Sequence, residues 1–239
     1  MIFSNPINAV VLDMDGTLHD TEVAYHAAIK TAVEAVGFTV TEAFCHSLIG
    51  IPGPESDAML RAHLGPAFPF AEYDRLYERY VASRLAREIP LKTGARELLQ
   101  SLAEHDLRAA VATSAGRRAA ERDLARSGLR RLLRVVVTRD DVAYGKPHPD
   151  LFLHAASLLG VPPHKCLAIE DSFNGIRAAH AAGMMPIMVP DLLTPTEEIR
   201  ALCVCIAADL NEVRTLIANY ADGEVKAARS KPVKSGGFP

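Results

Sequence analysis

Short apolar runs alternate with helix-patterned stretches along most of this chain, and that alternation leaves few folds open to it. The runs are Ala9–Leu12, Arg108–Ala112, Val135–Val137, Cys166–Ile169 and Met185–Val189. Unbroken apolar runs of this length read as strands buried on both faces. Helical patterns at about 94–105, 117–128, 149–160 and 172–182 fall between them, and Gly128, Gly160 and Gly183 stand where three of those helices should stop. Strands separated by helices of this length predict right-handed crossovers and a parallel sheet, an α/β fold.

The stretch from about Thr21 to Pro90 breaks the alternation. Helical patterns lie near 21–36, 41–49, 55–64 and 70–87, with no convincing strand. The expectation is a helical domain, residues 20–90, inserted after the first strand of a core built from 1–19 and 91–221. Hinges are expected near Leu18–Asp20 and Ile89–Gly94. The final segment, 222–239, carries Lys, Ser and Gly without apolar periodicity and is expected to be a disordered tail.

The chain has 239 residues, enough for a large core with a smaller insertion, and a net charge of −3. That charge advertises no nucleic-acid or membrane surface. The basic pairs Arg117–Arg118 and Arg130–Arg131 read as solvated positions. Cys45, Cys166, Cys203 and Cys205 fit neither a CxxC pair nor a zinc site, and read as free thiols in a reducing cytosol. Cys203 and Cys205 would share one face of a strand. No signal peptide is visible, and no apolar run approaches the roughly 20 residues of a membrane helix. A cytoplasmic protein, monomeric or weakly dimeric, is expected.

In an open parallel sheet, ligands sit beyond the carboxyl ends of the strands. Three expected strands end in polar clusters: Asp13/Asp15, Thr113/Ser114 and Glu170/Asp171. Gly145-Lys146-Pro147 follows a further strand. The fold should bring these distant segments to one edge. Two aspartates this close repel each other unless a cation compensates them. Mg²⁺ suits that role, since it prefers about six oxygen ligands. Asp13, Asp171 and a backbone carbonyl near Asp15 are candidate ligands, with Glu170 acting through water. Cation, Lys146, the Thr113 hydroxyl and loop amides together suit a phosphoryl group, whose transfer depends mainly on positioning and charge stabilisation.

Each element also has a plainer reading. Asp-x-Asp-Gly after a strand is often only a turn. Thr113-Ser114 could cap the next helix. Gly145-Lys146-Pro147 could be an exposed loop, and Glu170-Asp171 could serve a helix N-terminus. Their common order, each at or near a strand end, favours the functional reading.

These residues resemble the haloacid dehalogenase superfamily, and within it the phosphatases with a helical cap. Asp13-Met14-Asp15-Gly16-Thr17-Leu18 matches the first motif, Thr113 the second, and Lys146 in Gly-Lys-Pro-His-Pro-Asp the third. Glu170-Asp171, in Ile-Glu-Asp-Ser-Phe-Asn-Gly-Ile-Arg-Ala-Ala, matches the fourth. The resemblance spans about residues 7–220. It implies a Rossmann-like core, a mobile cap and an aspartyl-phosphate mechanism. Asp13 would be the nucleophile and Asp15 the acid/base. Thr113, with Ser114 beside it, and Lys146 would bind phosphate. Asp13, Asp15, Glu170 and Asp171 would hold Mg²⁺. Dehalogenases of this fold lack the second aspartate, so Asp15 favours phosphate esters, with a small phosphorylated metabolite such as a sugar phosphate or nucleotide-like monoester as substrate.

A hexose-phosphate mutase like β-phosphoglucomutase is the nearest alternative. Its hinge histidine position holds Tyr25 here, with His26 adjacent, and its cap arginine position falls in Ile51-Pro52-Gly53-Pro54, without a cation. A catalytically idle phospho-ligand-binding relative is the alternative of another class; the filled motif positions argue against it. Among other residues, His19 and Glu22 lie at the hinge, where substrate contacts arise. His148 reads as a loop histidine, and Arg84 and Lys92 as solvent-exposed. Tyr73, Tyr77 and Tyr80 read as a packing stripe.

Overall fold

The computed structural model describes residues 3–51, 53–85 and 89–230. Parts of the expected tail (231–239), of the expected helix 70–87 (86–87) and of the expected core (1–2) lie outside the described residues, as does Pro52.

The expected runs are strands. They are β1 (Ala9–Leu12), β2 (Arg108–Ala112), β3 (Val135–Val137), β4 (Cys166–Glu170) and β5 (Met185–Met188), with β6 (Cys205–Ile206) added at one edge. All pair in parallel, in the order β3-β2-β1-β4-β5-β6. Side chains alternate across the sheet. Val10, Leu12, Val111, Leu167 and Ile169 face one apolar layer, packed on Leu98, Leu99 and Leu102 of α5 (Ala95–Glu104), Leu124 of α6 (Arg117–Arg126) and Val213 and Ile217 of α10 (Leu210–Ser230). Ala9, Val11, Ala110, Ala112 and Ala168 face the other. These small residues leave room for Leu151, Phe152 and Leu159 of α7 (Asp150–Leu159) and for Ala178 and Ala179 of α8 (Phe173–Ala181). Helices on both faces of an all-parallel sheet make a doubly wound, Rossmann-like α/β fold.

Between β1 and α5 lie α1 (Glu22–Ala35), α2 (Glu42–Ser47), α3 (Gly53–Leu64) and α4 (Phe70–Arg84). They bury an apolar cluster of their own, centred on Ile29, Val33, Leu60, Phe68, Tyr73 and Leu76. Two chain crossings join this unit to the sheet, and their backbones pair: Asp20 N–H donates to the Pro90 carbonyl (2.9 Å) and Lys92 N–H to the Leu18 carbonyl (3.0 Å). Lys92 is not free in solvent; its Nζ lies 2.9 Å from Asp191 and 3.5 Å from Asp20.

Two further expectations need correction, and two elements had none. The edge strand β6 and α9 (Glu197–Leu202) carry no expectation above, because a two-residue strand is too short to show periodicity. Cys203 closes α9 and only Cys205 enters β6, so the two thiols do not share a strand; all four cysteines are free. Helix α10 continues through Ser230, beyond the expected start of the tail at residue 222. Glu224, Lys226, Ala227, Ala228 and Arg229 are good helix formers that outweigh the single Gly223. No helix among the described residues is long and apolar enough to cross a membrane.

Candidate active site

The strand order reverses direction on either side of β1 and β4, and this switch point opens a crevice beyond their carboxyl ends. Asp13 follows β1 directly, and its N–H donates to the Ile169 carbonyl of β4 (2.9 Å). Thr113 follows β2, with its N–H donating to the Val137 carbonyl of β3 (3.0 Å). Extending the ladder by one rung fixes where each side chain emerges.

Lys146 joins these segments. Its Nζ is buried, donating to Asp13 Oδ1 and, at 2.6 Å, to Glu170 Oε1, with the Phe152 ring 5.4 Å away. The exposed-loop reading of Gly145-Lys146-Pro147 therefore fails for Lys146. Glu170 is the last residue of β4, fully buried. Its Oε2 accepts from the N–H groups of Asp171 (3.0 Å) and Ser172 (2.8 Å) and from the Ser172 hydroxyl (2.9 Å). Gly175, in the first turn of α8, is the surface against which this carboxylate rests: a methyl there would overlap all three of its carboxylate atoms, each nearer than the 3.0 Å that real Cβ atoms keep.

Asp171 is buried and accepts from the Thr17 hydroxyl (2.9 Å), while Gly16, at φ +82°, lets the first loop pass directly over its carboxylate. Asp15 is half-buried, and its Oδ1 accepts from the Thr21 hydroxyl at 2.6 Å. The Thr113 hydroxyl accepts from Ala115 N–H (3.0 Å). The Ser114 hydroxyl is buried without a hydrogen-bond partner. Neither caps α6, whose N-cap is Gly116. All seven predicted site residues converge on this edge. Asp13, Asp15, Thr113, Ser114 and Asp171 line one cavity of about 410 Å³, with Lys146 and Glu170 immediately beneath.

The electrostatics are unbalanced. Asp13, Asp15, Glu170 and Asp171 crowd around Lys146. Burial pushes Asp13 up to about 8 despite Lys146, and burial with Glu170 and Asp13 nearby drives Asp171 well above the carboxylate range. Burial also raises Asp15, against the pull of the Thr21 hydrogen bond. Such a group lacks positive charge. The donors available to a cation are all oxygens, which suits a hard divalent ion.

The inserted unit supplies the cavity's other wall. Glu22, Tyr25, His26, Gly50 and Tyr77 line it, together with Arg139 from the core. Gly50, at φ +70°, meets Ser172: a Cβ there would stand 2.6 Å from the Ser172 hydroxyl. Burial, with Asp15 and Asp13 adding, pushes Glu22 up to about 8. Tyr77 is therefore more than part of a packing stripe, while Tyr73 is buried in that unit's core. Both Tyr25 and His26 reach the cavity, so the hinge position holds two candidates. His19 does not reach it; fully buried, its Nε2 lies 2.9 Å from the Ser127 hydroxyl. His148 is exposed beside Tyr144.

Arg139 had no sequence signal. It follows β3, its Nε is buried without a partner, and one of its amino groups lies 3.4 Å from Glu55 of α3. Its place two residues beyond Val137, the end of β3, was the available clue, shared with many surface arginines. Thr17, Thr21 and Ser172 likewise hold site carboxylates, and only their neighbourhood to the motifs pointed to them.

Comparison with known proteins places this geometry. The family model of haloacid dehalogenase-like hydrolases matches residues 10–189. A phosphorylated carbohydrates phosphatase of Thermotoga maritima is 34% identical over 181 residues, 74% of this chain and 82% of that protein. The crystal structure of CbbY from Rhodobacter sphaeroides in complex with phosphate gives a TM-score of 0.74 at 30% identity, over 87% of this chain and 96% of that one. A mutant of CbbY in complex with xylulose-(1,5)bisphosphate gives 0.74 at 29% identity, over 86% and 96%. By the extent of these matches and the identity they carry, the chain belongs to the haloacid dehalogenase-like hydrolases.

Proposed function

We propose that this protein is a Mg²⁺-dependent phosphatase of small phosphorylated metabolites, acting through a phosphoryl group carried on Asp13. The observation that carries the reading is the convergence of Asp13, Asp15, Thr113, Ser114, Lys146, Glu170 and Asp171 at one sheet edge, with more buried negative charge than Lys146 can offset. Asp13, Asp171 and the backbone at Asp15 would hold the ion, with Glu170 assisting. When bound, Mg²⁺ supplies charge that lets an anionic phosphate approach an anionic nucleophile.

The protein's residues do the rest. Lys146, fixed between Asp13 and Glu170, orients the nucleophile and neutralises part of its charge. Thr113 and the unpartnered Ser114 hydroxyl receive phosphate oxygens. Asp13 Oδ attacks phosphorus as the ester P–O bond breaks, and Asp15 gives its proton to the departing alkoxide. Asp15 then takes a proton from water as the water attacks the acyl phosphate, returning Asp13 and inorganic phosphate. The raised Asp15 suits a group that must begin protonated, and the Thr21 hydroxyl holds it in place.

Residues 20–90 act as a cap in this reading, with Glu22, Tyr25, His26 and Tyr77 facing the leaving group. A cavity of about 410 Å³ suits a small metabolite. Phosphorylated carbohydrates are the favoured class, in keeping with what the related phosphatase and CbbY are described as handling. A panel of phosphorylated sugars and nucleoside monophosphates, assayed for phosphate release with and without Mg²⁺, tests the reading. Mg²⁺-dependent turnover lost in Asp13→Asn is expected; release of phosphate from no member would overturn it.

A further inference from the structure

A second group of metal-type ligands lies on the inserted unit, apart from the carboxylate cluster. His26 comes from α1, and Glu42 and His46 from α2. Glu42 and His46 are four residues apart, so both project from one face of their helix. One ligand atom from each of the three residues lies within 4.8 Å of the others. The two imidazole rings stand 5.3 Å apart, tilted 32°.

The His26 ring is set up for ligation. Its Nε2 is buried and has no hydrogen-bond partner, although buried ring nitrogens are ordinarily satisfied. A neutral imidazole presents such a nitrogen to a metal ion.

We propose that His26, Glu42 and His46 bind a divalent cation of the zinc class on the wall of the inserted unit. Two imidazoles and a carboxylate suit Zn²⁺ rather than Mg²⁺, which prefers oxygen donors. Metal–ligand distances of about 2.0–2.2 Å put ligand atoms roughly 3–4 Å apart, so side-chain rotation on two exposed residues closes the present spacing. Lys30 pairs with Glu42 Oε1 on the surface, where both are well exposed, and such a pair is weak enough to yield to a metal. Three protein ligands leave a position for water or for a substrate oxygen, and His26 itself borders the substrate cavity. The bound ion would tie α2 to α1 and fix that part of the wall.

The test titrates Zn²⁺ calorimetrically into the full chain with Mg²⁺ in large excess, so that the all-oxygen site is held by Mg²⁺. Amide hydrogen exchange over residues 22–47 is followed in parallel. One Zn²⁺ per chain is expected, with slower exchange across α1 and α2. His46→Ala, at an exposed position, should weaken binding at least tenfold and abolish the protection, while Asp171→Asn should leave the Zn²⁺ isotherm unchanged. No Zn²⁺ uptake beyond the Mg²⁺ site, or an isotherm unaltered by His46→Ala, would overturn the proposal. Neither outcome depends on phosphatase activity.

Discussion

Replacing Gly175 with alanine sets local preference against the site directly. In a helix interior alanine is better than glycine by up to about 1 kcal/mol, so propensity alone predicts a more stable protein. The structure predicts the reverse. The new methyl falls on the Glu170 carboxylate, inside 3.0 Å of three of its atoms. Glu170 is fully buried and held by Lys146, two backbone N–H groups and the Ser172 hydroxyl, so it has no free rotamer to retreat into. Overpacking costs about 1–3 kcal/mol, and weakening one hydrogen bond to a buried charge adds roughly 1.5–3 kcal/mol. Net of the helix gain, Gly175→Ala should destabilise by about 1.5–5 kcal/mol. At this chain length that lowers Tm by roughly 3–20 °C. Because Glu170 positions Lys146, kcat/KM should fall by about tenfold or more even well below Tm. Calorimetry and steady-state phosphate release read both numbers. A variant as stable as the parent, with full activity, would refute the claim that Gly175 exists to seat Glu170.

Further expectations follow from single contacts. Gly50→Ala places a Cβ at φ +70° and 2.6 Å from the Ser172 hydroxyl, so the inserted unit should meet the core less closely; kcat/KM should drop about tenfold with a Tm change of only a few degrees. Thr21→Val removes the hydrogen bond that lowers Asp15, so Asp15 should hold its proton to higher pH and the alkaline limb of kcat/KM should move upward. A downward move would contradict the acid role. Asp141 is depressed to about 2: partial burial raises it, but hydrogen bonds from Arg117 and from the Thr138 backbone and hydroxyl outweigh that. Its contribution is fully present above the ordinary value of 3.8 and is lost as pH falls through about 2. The urea midpoints of the parent and Asp141→Asn should therefore converge as pH falls from about 4 to about 2.

The strands were legible because a strand buried on both faces must be apolar at every position, and Val-Val-Leu before Asp13 or Leu-Ala-Ile before Glu170 has no other economical use. The site was legible where chemistry demands a rare pattern at a strand end. It was not legible where a residue works through position alone. Thr17 and Thr21 look like ordinary hydroxyls until folding places them on Asp171 and Asp15. Arg139 belongs to the cavity only because β3 neighbours β2. Tyr77 shares its helical face with Tyr73, yet one turn carries it from the inserted unit's core to the cavity wall. His26 showed only as a neighbour of the hinge position, since its companions Glu42 and His46 come from another helix.

The most direct test of the central claim is to catch the covalent state. The protein is mixed with a turned-over substrate and Mg²⁺, quenched in acid within the first turnover and digested, and the peptides are weighed. The account predicts a phosphoryl group on the peptide carrying Asp13, absent in Asp13→Asn; with a substrate whose leaving group needs no proton, it should accumulate in Asp15→Asn, where water attack lacks its base. Rapid turnover with no phosphopeptide at any quench time, or undiminished turnover in Asp13→Asn, would contradict it.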